Sequence, residues 1–478
     1  MSIEATELQS PGWYFNRLAL AMGVRNPQLE VLASYMDGNA PLPEGAHGMR
    51  EAYQNFQRKA RVNFGELVVE AAQERMSPSG FRIGDAKGLS QEALKIWSYN
   101  ELDTFAGDIH ADMLGLRDGY AIVGPPGADG IPIVTREDPL LMIVDPDPLR
   151  PSRARAALKL YRDATTGLDT AYLYLPGAVY VATRDNQHSV ERLVPSIENF
   201  DWVPGMNPMY WPKDFADVVP VVCFHNKNGV GEFERHTDTL DRINWTILET
   251  LVIIAMQAYR QRVLSGSENY AEVELNAAGE PVLDSAGDPV MVDMTATMKP
   301  GAGNVWMVPE GVEFKELGTT DFQQVLAAVK DYIRDLAAAT RTPMYALMPD
   351  GANQSAEGAR AMSEQLIAKV RDRIKRASYG WNQVMALALR FQGVTANVTD
   401  IETLWLSPES ISLAERADAA SKLKAAGVPR KTIWTKVLGY SPEEAEEMEQ
   451  EILAELLEAS LGPQPPVPGS APVTPNGV

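Results

Sequence analysis

Two stretches of single-faced helical periodicity, Glu232 to Leu264 and Asp321 to Thr340, enclose a segment of strand chemistry, and this arrangement restricts the fold more than any other feature of the chain. In the first stretch Phe233, Leu240, Ile243, Ile247, Leu251, Ile254 and Ala258 step by three or four. Glu232, Glu234, Asp238 and Asp241 crowd its start and Arg260 and Arg262 its end, as the helix dipole prefers. In the second, Phe322, Val325, Leu326, Val329, Ile333 and Leu336 share a face. Helices that leave a body, carry a small tip and return must run antiparallel as a stalk. Such a stalk buries only one stripe per helix and is marginal alone, so its remaining surface is expected to pack on the same stalk of neighbouring subunits. That contact is head-to-tail and closes into a ring.

The second stalk helix is followed by TPMYALMPDGANQSAEGARA, Thr342 to Ala361. Two prolines (Pro343, Pro349), an Asp350-Gly351 tip and four bulky apolar residues (Met344, Tyr345, Leu347, Met348) fill a break that needs only a few residues. On pattern alone the loop is either a plain helix break packed into a core or an exposed apolar loop. Beyond it, Ser355 to Phe391 reads as one very long helix. Its bases Lys369, Arg371, Arg373, Lys375 and Arg376 suit a face turned to solvent or to a neighbour's acids.

The N-terminal region to about Asn100 is helical in pattern. Leu29, Val31, Leu32, Tyr35 and Met36 form a face that stops at DGNAPLPEG; a second amphipathic segment follows from Met49, and FGELVVEAAQERM is a third. Leu89 to Leu114 reads as one further helix with Ile96, Phe105, Ile109 and Met113 inward. From Gly119 to Asn226 short β-branched and aromatic runs alternate with Gly, Pro, Asp and Asn, which predicts an antiparallel β-rich module. Between the stalk helices, AAGEPVLD (Ala277 to Asp284) and SAGDPVMVD (Ser285 to Asp293) are near copies, each a Gly-acid-Pro turn before an apolar run, as in a small meander. SPEEAEEMEQEILAELLEASLG opens with a Ser441 cap and a first-turn Pro442 and has an acidic exposed face; the Pro-rich end after it is expected to be disordered.

With Lys+Arg 43 against Asp+Glu 64 the formal charge is -21, which argues against broad neutralisation of nucleic-acid phosphates. The single cysteine, Cys223, suits a reducing compartment. The best membrane candidate, Thr246 to Ala258, contains Glu249 and falls short of the ~20 apolar residues a spanning helix needs, so no membrane partner is expected. No P-loop, HExxH or GxSxG pattern is present. Cys223 and His225 alternate along a strand toward one face, but one pair is too few ligands for zinc, and no metal or cofactor is expected. The enzymatic alternative is a metal-dependent hydrolase or nuclease around His188, Asp201 and His225.

The order of elements, with DGNAPLP (Asp37 to Pro43) near the start, GNVWMVPEGVEFKEL before the second stalk helix and TPMYALMPDGANQSAEGARA after it, resembles phage portal proteins of the SPP1-type family, particularly those of siphophages infecting actinobacteria. The resemblance runs roughly from Trp13 to Leu461. It implies an α+β portal fold: a wing over 1–231, mainly helical with a β-rich module at about 119–226; stem helices over 232–264 and 319–341; a small α/β clip over 265–318; a tunnel loop over 342–354; a long wing helix and following strand over 355–405; a helical crown over 406–461; and a disordered tail over 462–478. It also implies a non-enzymatic, dodecameric ring at one capsid vertex, assembled in the host cytoplasm, through which double-stranded DNA is packaged and ejected. Its implied partners are the terminase large subunit, a head-to-tail adaptor, and the major capsid and scaffolding proteins. Carried over by position, Met344, Tyr345, Leu347, Met348, Asp350, Asn353 and Gln354 would line the channel, and Glu280, Asp284, Asp288, Asp293, Trp306 and Glu310 would dock partners at the clip. Apolar and amide side chains offer passing phosphates no ion pair, and Asp350 would repel them. Another capsid component, a shell or minor head protein, is the remaining alternative.

Overall fold

Ser10 opens the first helix: its Oγ accepts a hydrogen bond from the Trp13 backbone at 3.2 Å, and Pro11 takes a first-turn position that needs no donor. The computed structural model describes residues 3–41, 57–84, 89–163, 165–185, 193–258, 262–265, 271–293, 313–316, 322–348, 356–409, 413–440 and 442–460. Helix α1 spans Pro11–Met36 and α2 Phe64–Gln73; the start of the amphipathic segment expected from Met49 lies outside the described residues. Strand β1 (Pro78–Ile83) interrupts a region expected to be helical. Its backbone is claimed by a partner far along the chain, which overrides local pattern.

The single helix expected over Leu89 to Leu114 is two, α3 (Gln91–Tyr99) and α4 (Leu102–Gly115). The break is held from outside the helices. Asn100 Nδ2 donates to the carbonyls of Ile96 at 2.8 Å and Pro132 at 2.9 Å, its Oδ1 accepts from the Val134 backbone at 2.8 Å, and Glu101 turns left-handed at φ 51°. Phe105, expected inward, is 39% exposed, whereas Ile96, Ile109 and Met113 are buried.

The β-rich module follows as β2 (Asp118–Pro126), β3 (Pro132–Glu137), β4 (Met142–Pro146), β5 (Ala154–Arg162), β6 (Leu168–Leu175), β7 (Ala178–Asp185), β8 (Asp201–Trp202), β9 (Met209–Tyr210) and β10 (Val221–His225), every pairing antiparallel. Helix α5 (Thr237–Ala258) ends earlier than expected. The chain turns instead into β11 (Arg262–Ser265), so Arg262 is a strand residue and not a helix-end base. Strands β12 (Ala271–Val273), β13 (Met291–Asp293) and β14 (Glu313–Glu316) precede α6 (Phe322–Thr340); α7 (Ala356–Phe391), β15 (Ile401–Trp405), α8 (Leu413–Ala425) and α9 (Pro442–Ser460) complete the chain.

The chain forms two compact units, one of 1–26, 72–229 and 367–478, the other of 27–71 and 230–366. In the first, the sheet ordered β4-β5-β6-β7-β8, with β9 also on β7, is covered on both faces. Alternation assigns the faces. Leu158, Leu160, Ala171, Leu173 and Ala182 meet Phe15, Leu18 and Met22 of α1, while Ala157, Tyr174, Val179 and Val181 meet Tyr120, Ile122 and Val221 of the sheet β10-β2-β3. Under the closed Asp169 carboxylate, Arg162 and Arg184 bind at 2.6 and 2.8 Å, so the buried anion is compensated from both sides.

The same unit holds an aromatic core. β1 pairs with β15 from Pro78↔Trp405 to Ile83↔Ile401. Trp381 of α7 stacks edge-on against Trp97 at 4.9 Å, lies 5.0 Å from Phe224, and donates its indole N–H to His110 Nε2 at 2.9 Å. Gly380 is what lets Phe224 approach: a Cβ there would lie 2.4 Å from its ring. In the second unit, α5 and α6 pack through Leu240, Ile243, Leu248, Ile333 and Leu336, and the α1 residues Leu29, Leu32 and Tyr35 are buried there. Tyr35 hydrogen-bonds Asp241, and the Val62 backbone donates to Asn244 Oδ1 at 3.1 Å.

Two predictions follow from the aromatic core. Burial pushes the fully enclosed His110 down to about 3, with the Met76 backbone opposing, so it is neutral when folded. The unfolded chain takes up this proton first; stability is present above the unfolded value near 6.5 and is lost as pH falls toward 3. Denaturant titrations should show His110→Gln losing about 3 kcal/mol less than wild type between pH 7.5 and 4.5. Gly380→Ala should cost about 1–3 kcal/mol by overpacking, read as a lower unfolding midpoint at unchanged denaturant slope.

Candidate functional site

Helix α6 stops without a glycine. Arg341 takes the left-handed position at φ 53°, the Thr342 backbone N–H returns to the Ala337 carbonyl at 2.9 Å, and that of Arg341 to Ala338 at 3.3 Å, a Schellman stop. Thr340 Oγ1 donates to the Leu336 carbonyl at 2.8 Å and lies 3.0 Å from Thr342 Oγ1. Buried Thr342 and Pro343 then launch a single helical turn, Met344–Leu347, closed by the Met348 N–H on the Met344 carbonyl at 2.7 Å. Leu347, 4% exposed, anchors the turn; Met344 and Met348 are half-buried, and Tyr345 is 40% exposed. The segment is therefore a pinned turn that offers Tyr345 outward. Asp350, Asn353 and Gln354 lie outside the described residues.

Between α5 and α6 the near copies form two matching turns, and instead of the open meander expected the outer strands β12 and β13 pair with each other. Asn276 Oδ1 accepts from the backbones of Ala278 at 2.9 Å and Glu280 at 3.0 Å, and Asp284 Oδ1 repeats this with Ala286 at 2.8 Å and Asp288 at 3.0 Å. Gly279 and Gly287 turn left-handed at φ 80° and 88°, where a side chain would be strained. The Val282 N–H donates to the Glu274 carbonyl, that of Val290 to the Val282 carbonyl and that of Glu274 to the Val290 carbonyl, so residues 274, 282 and 290 close a cycle of three backbone bonds. Asn276 lay one residue outside the copy as read from sequence; its spacing from Asp284 equals that of Gly279 from Gly287. The N–H groups of Asp288 and Ala286 hold the Asp284 carboxyl below its usual range. Glu280, Asp284 and Asp288 are exposed in these turns, whereas Trp306 and Glu310 lie outside the described residues, as does the side chain of Asp293.

Four of the five α7 bases named from the sequence are occupied within the chain, and Lys375 is exposed. Lys369 and Arg373 are buried, Arg371 pairs with Glu409, and Arg376 reaches Asp372 at 3.1 Å.

The pair Cys223 and His225 acquires a third member. Register β10 on β2 sets His225 opposite Asp118 and Cys223 opposite Tyr120. His225 Nδ1 is 2.7 Å from Asp118 Oδ1 and 3.5 Å from Cys223 Sγ. The Asp118 hydrogen bond raises the imidazole's pKa against the opposing effect of burial, and burial raises the thiol's. Asp118 was not legible from sequence as a partner because only strand register brings it there. Asp201 stands on β8, in the other sheet, and does not join this group; His188 lies outside the described residues.

Comparison with known proteins places this architecture. The portal protein of Mycobacterium phage D29 is 26% identical over 500 aligned residues, covering 97% of this chain and 94% of that protein. The portal protein of Mycobacterium phage L5 is 24% identical over 492, with the same coverage of 97% and 94%. Among solved structures, a chain of the virion of a native gene transfer agent particle is 14% identical with a TM-score of 0.41, covering 87% of this chain and 99% of that one. A chain of the neck of the native particle, computed with C12 symmetry, has the same identity of 14% and TM-score of 0.41, covering 90% of this chain and 99% of that one. The family profile described as phage portal protein, SPP1 Gp6-like, matches residues 24–455. The chain belongs to that family of phage portal proteins.

Proposed function

We propose that the chain is the subunit of a homo-oligomeric ring set at one capsid vertex, with its α5–α6 pair packed against the same pair of its neighbours and the segment after α6 facing the axial channel. As a portal protein it is a structural component of the virion and not an enzyme. That assignment sets aside both the hydrolase or nuclease alternative and the other capsid components. Among the described residues no helix is long and apolar enough to cross a membrane.

The observation that carries the ring reading is the uneven burial of the helix pair. Ile243, Leu248, Ile333 and Leu336 are closed off, but Ile254 is 49% and Leu326 47% exposed. The strand pair β11–β14 joins the end of α5 to the start of α6, and the Arg242 guanidinium lies 4.8 Å over the Tyr332 ring, so the helices are antiparallel; Ile254 and Leu326 fall toward the β11–β14 end, while Trp245, 42% exposed, opens a further apolar position nearer the other end. A second copy is the occupant that supplies the missing apolar partner without a new sequence. In this reading 232–264 and 319–341 are the stem, 265–318 the clip, 342–354 the tunnel loop, 1–231 with 355–405 the wing, and 406–461 the crown.

The loop chemistry suits passage of double-stranded DNA. Tyr345, Met344 and Met348 contribute no cation that would hold a phosphate, while Leu347 fixes the turn from inside; Asp350, Asn353 and Gln354 complete the lining in this proposal. The exposed acids Glu280, Asp284 and Asp288 of the two turns, with Asp293, Trp306 and Glu310, are the proposed docking surface for a terminase large subunit during filling and a head-to-tail adaptor afterwards. Assembly in the host cytoplasm alongside major capsid and scaffolding proteins belongs to the same proposal.

Electron microscopy with native mass spectrometry tests the ring. Wild type should give closed rings with an axial hole of duplex width, whereas Ile254→Asp and Leu326→Asp should remain folded, with unfolding free energies within about 1 kcal/mol of wild type as for other exposed sites, yet fail to close. Wild-type chain that stays monomeric at every concentration and ionic strength would refute it. For the loop, Tyr345→Lys and Met348→Lys should leave ring formation intact and slow DNA filling of capsids several-fold, measured as nuclease-protected DNA; unchanged filling would remove the loop from the channel.

A further inference from the structure

We propose that Asp118, Cys223 and His225 form a binding site for a borderline-soft divalent transition cation of the Zn2+ type, which staples β10 to β2. The inference goes beyond the portal reading and does not depend on it. One Asp oxygen, the Cys sulfur and a His ring nitrogen all lie within 4.8 Å of one another. Both contacts of the imidazole fall on the same atom: Nδ1 is 2.7 Å from Asp118 Oδ1 and 3.5 Å from Cys223 Sγ. A nucleophilic relay uses the two ring nitrogens separately, with the base on one and its orienting carboxylate on the other. Here one nitrogen faces both partners and can hydrogen-bond only one of them well. A cation between the three satisfies all of them at once.

The separations match that use. Zinc–ligand distances of about 2.0–2.3 Å in tetrahedral geometry put neighbouring ligand atoms roughly 3.3–3.6 Å apart. The Sγ···Nδ1 distance of 3.5 Å already falls there, and the Oδ1···Nδ1 distance of 2.7 Å needs only a small opening. Thiolate, carboxylate and neutral imidazole together balance a dication, and the half-exposed His225, 49% accessible, leaves a side for a fourth ligand such as water. Supporting bonds are in place: Arg25 Nη1 donates to Tyr120 Oη at 3.1 Å, and Tyr120 Oη lies 3.5 Å from Asp118 Oδ2. His225 ends β10 and Asp118 begins β2, next to the point where the Asn226 N–H closes on the Arg117 carbonyl at 2.9 Å. A metal there would hold the sheet edge from which the chain departs.

Cobalt is the probe of choice because Cys223 is the only cysteine in the chain, so any sulfur-to-cobalt charge-transfer absorption reports this site alone. Titrating the full-length, metal-stripped chain with Co2+ should give one equivalent of that absorption together with the intense visible bands of tetrahedral cobalt, displaced by Zn2+. Cys223→Ser should abolish the charge-transfer band, and Asp118→Asn and His225→Gln should each weaken binding at least tenfold at unchanged far-ultraviolet circular dichroism. If a variant misfolds, the wild-type chain still decides: Zn2+ should protect Cys223 from alkylation at least tenfold. Absence of the band and of protection in folded wild type would overturn the proposal, as would binding equally strong in Asp118→Asn and His225→Gln, which would mean a lone thiolate.

Discussion

Everything between residues 84 and 400 has to leave one place and come back to it, because β1 pairs with β15. The bond between Arg82 Nη1 and Glu402 Oε2 at 2.8 Å joins positions 320 apart in sequence. Closing so long a loop costs entropy that grows only slowly with length, and a few ladder bonds could not offset it alone. The offset comes from what the pairing encloses: Phe81, Trp97, His110, Trp381 and Trp405 gather beside it in one aromatic core. The first unit is thus complete only when both ends of the chain have contributed. The stalk elements are an excursion from it, leaving after Gly229 and re-entering at Ile367.

The buried charges inside that unit are answered locally. Asp169 has two arginines, and Asp112 is gripped by Arg136 through two bonds of 2.8 and 2.9 Å even though burial pushes its carboxyl up to about 6. His110 avoids the cost of a buried charge by staying neutral and accepting from Trp381. The acidic surplus of the chain is placed differently: Glu280, Asp284, Asp288 and much of α9 are exposed, where water screens them.

Periodicity made the stalk, the β-rich module and the long α7 legible in the sequence, since each depends on a local repeat of apolar positions. The failures share one physical cause, which is a distant partner outbidding a local preference. Asn100 breaks a helix because Pro132 and Val134 engage its side chain, and Arg262–Ser265 are strand and not helix because β14 pairs with them as β11. The stop of α6 was readable from Pro343, but the left-handed Arg341 that builds it carries no glycine signal. At the metal-ligand cluster the two residues on one strand were visible as a pair, while Asp118 required the β2–β10 register.

The burial gradient along α5 and α6 connects these points to assembly. At the base, Tyr35, Asp241 and Asn244 tie α5 to the α1 residues and to the Val62 backbone, so the pair is held firmly where its partners belong to the same chain. Toward the tip no such partner exists among the described residues, and Ile254 and Leu326 stay open. Under the proposed ring, the apolar area left open on a helix pair held at one end is what a second copy would cover. The turn after α6, pinned by Leu347 and a Schellman stop, sits at the firmly held end, where a loop can keep one conformation.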